Sequence, residues 1–269
     1  MTLRHVEGGL DKFTQDPDPL KANLATGLVA GARRWLELYP DVPLPGQILT
    51  SGTEQTLAPR TDLLAQAIKE KLSTPELVTS FWRTKLQADG KRAGIDIVVP
   101  DCDWSAEAIQ RPMIDKDGNL ILGMLVPALD ELTLPLLGRM YPLMRSYAVA
   151  ENTPITDTHE TRGYIKVYAS VDAPNRDTTQ TQLEEFARKQ GYIGARLRTY
   201  ILASQASKDF TGKYLDQEDT SSKLLGSLRG GGVLSAYFRP DGFLDVIWGL
   251  GPEGHGSRLG GRFEEVKKA

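Results

Sequence analysis

The pair of carboxylates in Asp101-Cys102-Asp103 is the first feature with chemical potential. Two acids two positions apart, just beyond an apolar β-branched run, suit a hard cation such as Mg²⁺, which takes carboxylate oxygens and keeps positions open for substrate phosphates. The surrounding stretch is acidic as a whole: residues 95–160 carry a formal charge of −7, against +1 for 1–94 and +3 for 161–269. Asp96, Asp115, Asp117, Asp130 and Glu131 could converge with the pair or could be an ordinary solvated face. A second feature is basic and aromatic. Arg188, Tyr192, Arg196, Arg198 and Tyr200 interleave guanidinium groups with phenol rings, and arginine on phosphate with tyrosine on a base fits single-stranded nucleic acid or RNA. The glycine-rich end, with Arg258 and Arg262, could follow an anionic backbone in the same way. The same arginines are equally the wet side of an amphipathic helix.

Several segments resemble fragments of known patterns, each with a departure. Asp101-Cys102-Asp103 resembles the start of the haloacid dehalogenase motif, but Trp104 and Ser105 stand where that family has Gly and Thr. Asp115-Lys116-Asp117-Gly118 resembles the middle of an EF-hand loop; the positions that should ligate calcium fall on Met113 and Met124, which leaves a turn. Gly251-Pro252-Glu253-Gly254-His255-Gly256-Ser257 has the glycine spacing of a phosphate loop without its lysine. Tyr164-Ile165-Lys166-Val167-Tyr168 is similar to the opening strand of serine recombinases, with Tyr168 in place of the nucleophile. Asp245 followed by Glu265-Val266-Lys267 has the order of a metal-nuclease core at the end of the chain. His5, His159 and His255 are widely separated, so no Ser/His/Asp set is assigned.

Composition narrows the classes. With 40% hydrophobic and 25% charged residues among 269, the chain is an ordinary globular one, neither disordered nor collagen-like. A net charge of −3 argues against a surface built wholly for nucleic acid. The lone Cys102 excludes an internal disulfide and a cysteine-rich zinc site. The first residues, Met1-Thr2-Leu3-Arg4-His5, lack the apolar run of a signal peptide, and the weakly polar stretch 120–137 is broken by Pro127, Asp130, Glu131 and Pro135. The expectation is a soluble, cytoplasmic protein without a membrane span.

The elements that must position these residues follow from periodicity and punctuation. Helices are expected at 23–39, from a Thr61 cap through Lys71, and from Ser73-Thr74-Pro75-Glu76 to about Ala88, where Asp89-Gly90 ends it. A strand is read at 95–99, a hairpin around Asp117-Gly118, and a broken helix over 129–149. Residues 150–161 read as a linker. Beyond it come a strand at 163–171, a capped helix from about Thr178 to Lys189 ended by Gly191, a helical stretch at 195–207, a polar segment at 208–222, a flexible Gly230-Gly231-Gly232 connection, and a hairpin turning at Arg239-Pro240-Asp241-Gly242.

The sum is an α+β chain: a helical N-terminal third followed by a mixed α/β region with antiparallel hairpins. Its parts are a mainly helical region at 1–93, an acidic α/β region at 94–150, and an α+β region at 162–269 that ends in a Gly/Arg-rich tail, or one continuous domain. The function expected is a non-enzymatic binding or assembly protein, contacting nucleic acid through Arg188, Tyr192, Arg196, Arg198, Tyr200, Arg258 and Arg262 or forming a homo-oligomer, with no cofactor. The alternative is a Mg²⁺-dependent phosphodiesterase or nucleotidyltransferase using Asp101 and Asp103.

Overall fold

Local signals fix the helices. The computed structural model describes residues 60–142, 154–160, 162–217 and 219–267, so the helix expected at 23–39, and with it most of the helical N-terminal third, lies outside the described residues. Helix α1 is Arg60–Lys71 and α2 is Pro75–Arg92. Thr74 caps α2, its hydroxyl accepting the Leu77 N–H at 3.3 Å, with Pro75 and Glu76 in the first turn. Asp89-Gly90 does not end this helix. Asp89 is buried and ion-paired, and Gly90 lets the chain fold back, its carbonyl accepting the Ile95 N–H at 2.9 Å. The extended segment that follows buries Ile97 and Val99 and exposes Val98, yet it has no strand partner among the described residues. Its alternation records packing on α2 rather than a ladder.

A short helix α3 (Ala106–Gln110), capped by Ser105, leads to the hairpin β1 (Met113–Ile114) and β2 (Leu120–Ile121). Asp115 closes that turn by accepting the N–H groups of Asp117 and Asn119. Next come β3 (Gly123–Ala128) and α4 (Leu134–Met140). The stretch read as a linker holds β4 (Ile155–Asp157). Strand β5 (Gly163–Tyr168) precedes α5 (Gln180–Gln190), whose capping box joins Thr179 and Gln182 and whose Gly191 cap has φ 72°. Strand β6 (Ile193–Gly194) and helix α6 (Leu197–Thr211) follow. The polar segment read at 208–222 is the end of α6 and a loop leading into β7 (Ser221–Arg229); the glycine cluster turns β7 into β8 (Gly232–Phe238), and β9 (Leu244–Trp248) completes the second expected hairpin. The glycine-rich end is not a tail: it forms β10 (Leu259–Gly261) and β11 (Phe263–Val266).

Besides the two-stranded β1–β2 hairpin, the described residues form two larger sheets, and the chain is mixed α+β. The first has the order β3-β5-β11-β6, antiparallel throughout; the second has the order β10-β7-β8-β9, with β4 also on β7 and β10 parallel to it. Helix α6 packs against α1, β3, β5 and β7, touching both sheets. One apolar core runs from Leu64 to Val246, across the divisions read at 94 and at 150–161. A smaller cluster of Met113, Tyr168, Leu183, Ala187 and Phe263 seats α5. Among the described residues no helix is long and apolar enough to cross a membrane.

The sheets meet at two places. In β7 the ladder with β8 shifts between Leu224 and Leu228, and this bulge turns the Gly226 N–H onto the Ala195 carbonyl at 3.0 Å. A Cβ on Gly226 would lie 2.3 Å from the Gly194 oxygen, so only glycine fits. Between β10 and β11 the chain crosses from one sheet to the other through Arg262, which has no exposed surface. Its guanidinium donates to both oxygens of buried Asp216 (3.0 and 3.2 Å), to Ser222 Oγ, and to the carbonyls of Tyr168 and Val171. Thr220 and Ser222 donate further to Asp216.

Removing one partner of such a pair leaves the other buried and unpaired, at a cost of about 3–5 kcal/mol. Arg262→Met and Asp216→Ala are each expected to lower the urea midpoint sharply, while the double replacement recovers part of the loss. A wild-type midpoint for Arg262→Met would refute this role.

Candidate functional site

Helix α6 begins without a capping side chain of its own: Arg196 at the N-cap makes no side-chain cap bond. Its free N–H groups are met from elsewhere. Glu264 on β11, fully buried, accepts the Arg196 N–H at 2.8 Å and its Nε at 3.3 Å, a carboxylate at the positive end of the helix dipole. His159 Nε2 stands 3.3 Å from the same carboxylate. Ser227, in the β7 bulge, accepts the Leu197 N–H at 2.9 Å and donates to Asp157 at 2.6 Å, while Arg198 holds the other oxygen of Asp157 at 2.7 Å. Arg196 and Arg198 are therefore the cap and clamp of α6.

The other residues read as nucleic-acid contacts divide in the same way. Tyr200 is fully buried, donates to the Leu215 carbonyl at 3.1 Å, and its hydroxyl is driven far above its ordinary pKa, first by burial and then by the charge of Asp216. Tyr192 packs with Tyr168, Phe186 and Phe263, and its hydroxyl oxygen accepts the Ile114 N–H. Arg262 is the buried link between the sheets. Of that set Arg188 and Arg258 are exposed and Tyr192 and Arg198 partly so, while Arg196, Tyr200 and Arg262 are buried; a ring or guanidinium with no accessible face cannot stack on a base or neutralise a phosphate.

Asp101 and Asp103 each meet a cation. Arg83 lies 2.9 Å from Asp101, and Lys267 lies 2.8 Å from Asp103 and also donates to its carbonyl. The remaining acids of the middle segment are dispersed: Asp115 is in its turn, Asp117 pairs with Lys116, and Asp130 with Arg162. Among the described residues no group of three His, Cys, Asp or Glu side chains could hold a metal ion. Asp101 does line an open cleft of 530 Å³ with Glu76, Thr79, Arg83 and Cys102. Burial pushes the Cys102 thiol above its ordinary pKa, so little nucleophilic thiolate exists there at neutral pH. His255 interacts with the Glu253 carbonyl, away from any acid–base partner described; His5 lies outside the described residues.

Another open feature is the far edge of the second sheet. Among the described residues strand β9 pairs only with β8, and it runs out into Ile247, Trp248 and Leu250, each more than 40% exposed. The Arg229 guanidinium stacks 3.6 Å from the centre of the Trp248 ring. The sequence alone reads here as a plain hairpin strand, since nothing in the strand itself says which edge stays open. Comparison with protein-family models, curated proteins and solved structures returns no match for the chain.

The buried phenols make a pH dependence. Tyr141, Tyr164, Tyr168 and Tyr200 all have raised pKa values, with desolvation the largest cause in each. Above about pH 10 an unfolded tyrosine ionises while these keep their protons, so the folded state binds more protons and stability falls as pH rises. Lys166 and Lys223, lowered by burial, act oppositely below their free value of 10.5 but are fewer. Absorbance at 295 nm is expected to rise together with loss of near-ultraviolet circular dichroism; reversible ionisation of all tyrosines near pH 10 in a folded protein would contradict it.

Proposed function

We propose that this chain is a non-enzymatic assembly protein that binds a second copy of itself along the outer edge of β9. The observation that carries the reading is that edge: a strand with no outer partner among the described residues, ending in Ile247, Trp248 and Leu250. Monomeric proteins blunt such edges with lysine, proline or a bulge. Strand β9 contains neither lysine nor proline, and its one charge, Asp245, is neutralised by Arg239 at 2.5 Å.

A second copy is the occupant that fits. Antiparallel pairing of β9 with itself is related by a two-fold axis, the commonest symmetry of oligomers, and joins two five-stranded sheets into one. Trp248, held by Arg229, supplies the rigid aromatic anchor that such interfaces concentrate their energy on. A net charge of −3 sets little repulsion between copies. For the alternative, a Mg²⁺-dependent phosphodiesterase, Asp101 and Asp103 would first have to leave Arg83 and Lys267, so the geometry supports assembly better.

Sedimentation of the full chain is expected to show a dimer at micromolar concentration, and Ile247→Lys a monomer. As an exposed substitution, Ile247→Lys should shift stability by no more than about 0.5 kcal/mol. A wild-type protein that stays monomeric at every concentration overturns the proposal.

A further inference from the structure

A different part of the molecule holds a cleft of 550 Å³ between α2, α6 and Tyr141. Its floor is the buried pair Lys85 and Asp89, flanked by the more exposed Arg92 and Asp209. Asp89 is 4% exposed and accepts from the Tyr141 hydroxyl at 2.7 Å, from Lys85 at 3.3 Å, and from Arg92. Lys85, its side chain nine-tenths buried, also reaches Asp209 at 2.6 Å. Around this floor stand Phe81, Ser80, Thr84, Ala88 and buried Gln205.

The balance of these groups selects the ligand. Lys85 and Arg92 offset Asp89 and Asp209, and each charge is already met within the set. An anion or a cation would face as much repulsion as attraction, and a zwitterion would have to break the existing pairs. A hydroxyl group does neither, because it accepts from an ammonium or guanidinium and donates to a carboxylate at once. Phe81 and Tyr141 bring aromatic carbon to the lining beside those polar groups. The volume lies within the range of about 300–1,000 Å³ usual for small-molecule sites. We propose that this cleft binds a neutral saccharide unit, its hydroxyls hydrogen-bonded to Lys85, Arg92, Asp209 and Gln205.

The test is nuclear magnetic resonance titration of the full chain with glucose, galactose, N-acetylglucosamine and cellobiose, and separately with glycine and alanine. One of the sugars is expected to give saturable shifts at Ser80, Thr84 and Ala88. Asp209→Ala should weaken that binding at least about tenfold, and Ala88→Trp, which fills the cleft from an exposed position, should abolish it. If Ala88→Trp fails to fold, Arg92→Ala, altering an exposed side chain, replaces it with the same expected weakening. No saturable shift with any sugar overturns the proposal. So does binding of the amino acids instead, or sugar shifts unchanged in the variants.

Discussion

The fold depends on one buried ion pair. Arg262 and Asp216 lie 46 residues apart, neither has exposed surface, and each is surrounded by hydrogen-bonding groups that belong to the other parts of the core. Buried charge is tolerated only when every donor and acceptor is met. Here the requirement ties β10 and β7 of one sheet to the Tyr168 carbonyl at the end of β5 and the Val171 carbonyl just beyond it. Asp216 takes a left-handed backbone at φ 55°, which aspartate tolerates better than most residues, and its N–H donates to the same Val171 carbonyl at 2.6 Å. Position and chemistry at this junction are thus set together.

A second, parallel arrangement governs α6. Its N-terminus is satisfied by Glu264 from one sheet and Ser227 from the other, so the helix is held where both sheets can pack on it. The buried charges Arg196, Asp216, Arg262 and Glu264 all serve this internal framework. That leaves the β9 edge and the clefts beside α2 as the parts of the described surface whose composition exceeds what the fold requires.

What was legible in the sequence was local. The helix start at Thr74-Pro75, the Gly191 terminus and the two turns with Asp-Gly pairs all declare themselves within a few residues, and the structure contains them, while the cap of α5 falls on Thr179 rather than on Asp177 or Thr178. What was not legible depended on distant partners. Glycines 260 and 261 read as flexibility, but they are small because Pro174 and Leu183 lie against them. Strand β7 was hidden by its polar residues and its bulge, whose purpose appears only when Ala195 is beside Gly226. The arginine–tyrosine run presumed a helix with one wet side, whereas every residue of α6 from Thr199 to Ser207 is buried, so no such side exists there. Asp101 and Asp103 looked like a pair because their cations, Arg83 and Lys267, are far away in sequence.

The position of β11 has a consequence for how the chain is made. Strands β5 and β6 are close in sequence, yet they do not pair with each other; β11 occupies the slot between them. During vectorial synthesis that slot stays open until residues 263–266 have left the ribosome, with the carbonyls of Tyr168 and Val171 still waiting for Arg262. The first sheet therefore closes only after translation has passed all of its other strands. Until then the nascent chain carries two unzipped strand edges, so the long-range pairing of this sheet comes last.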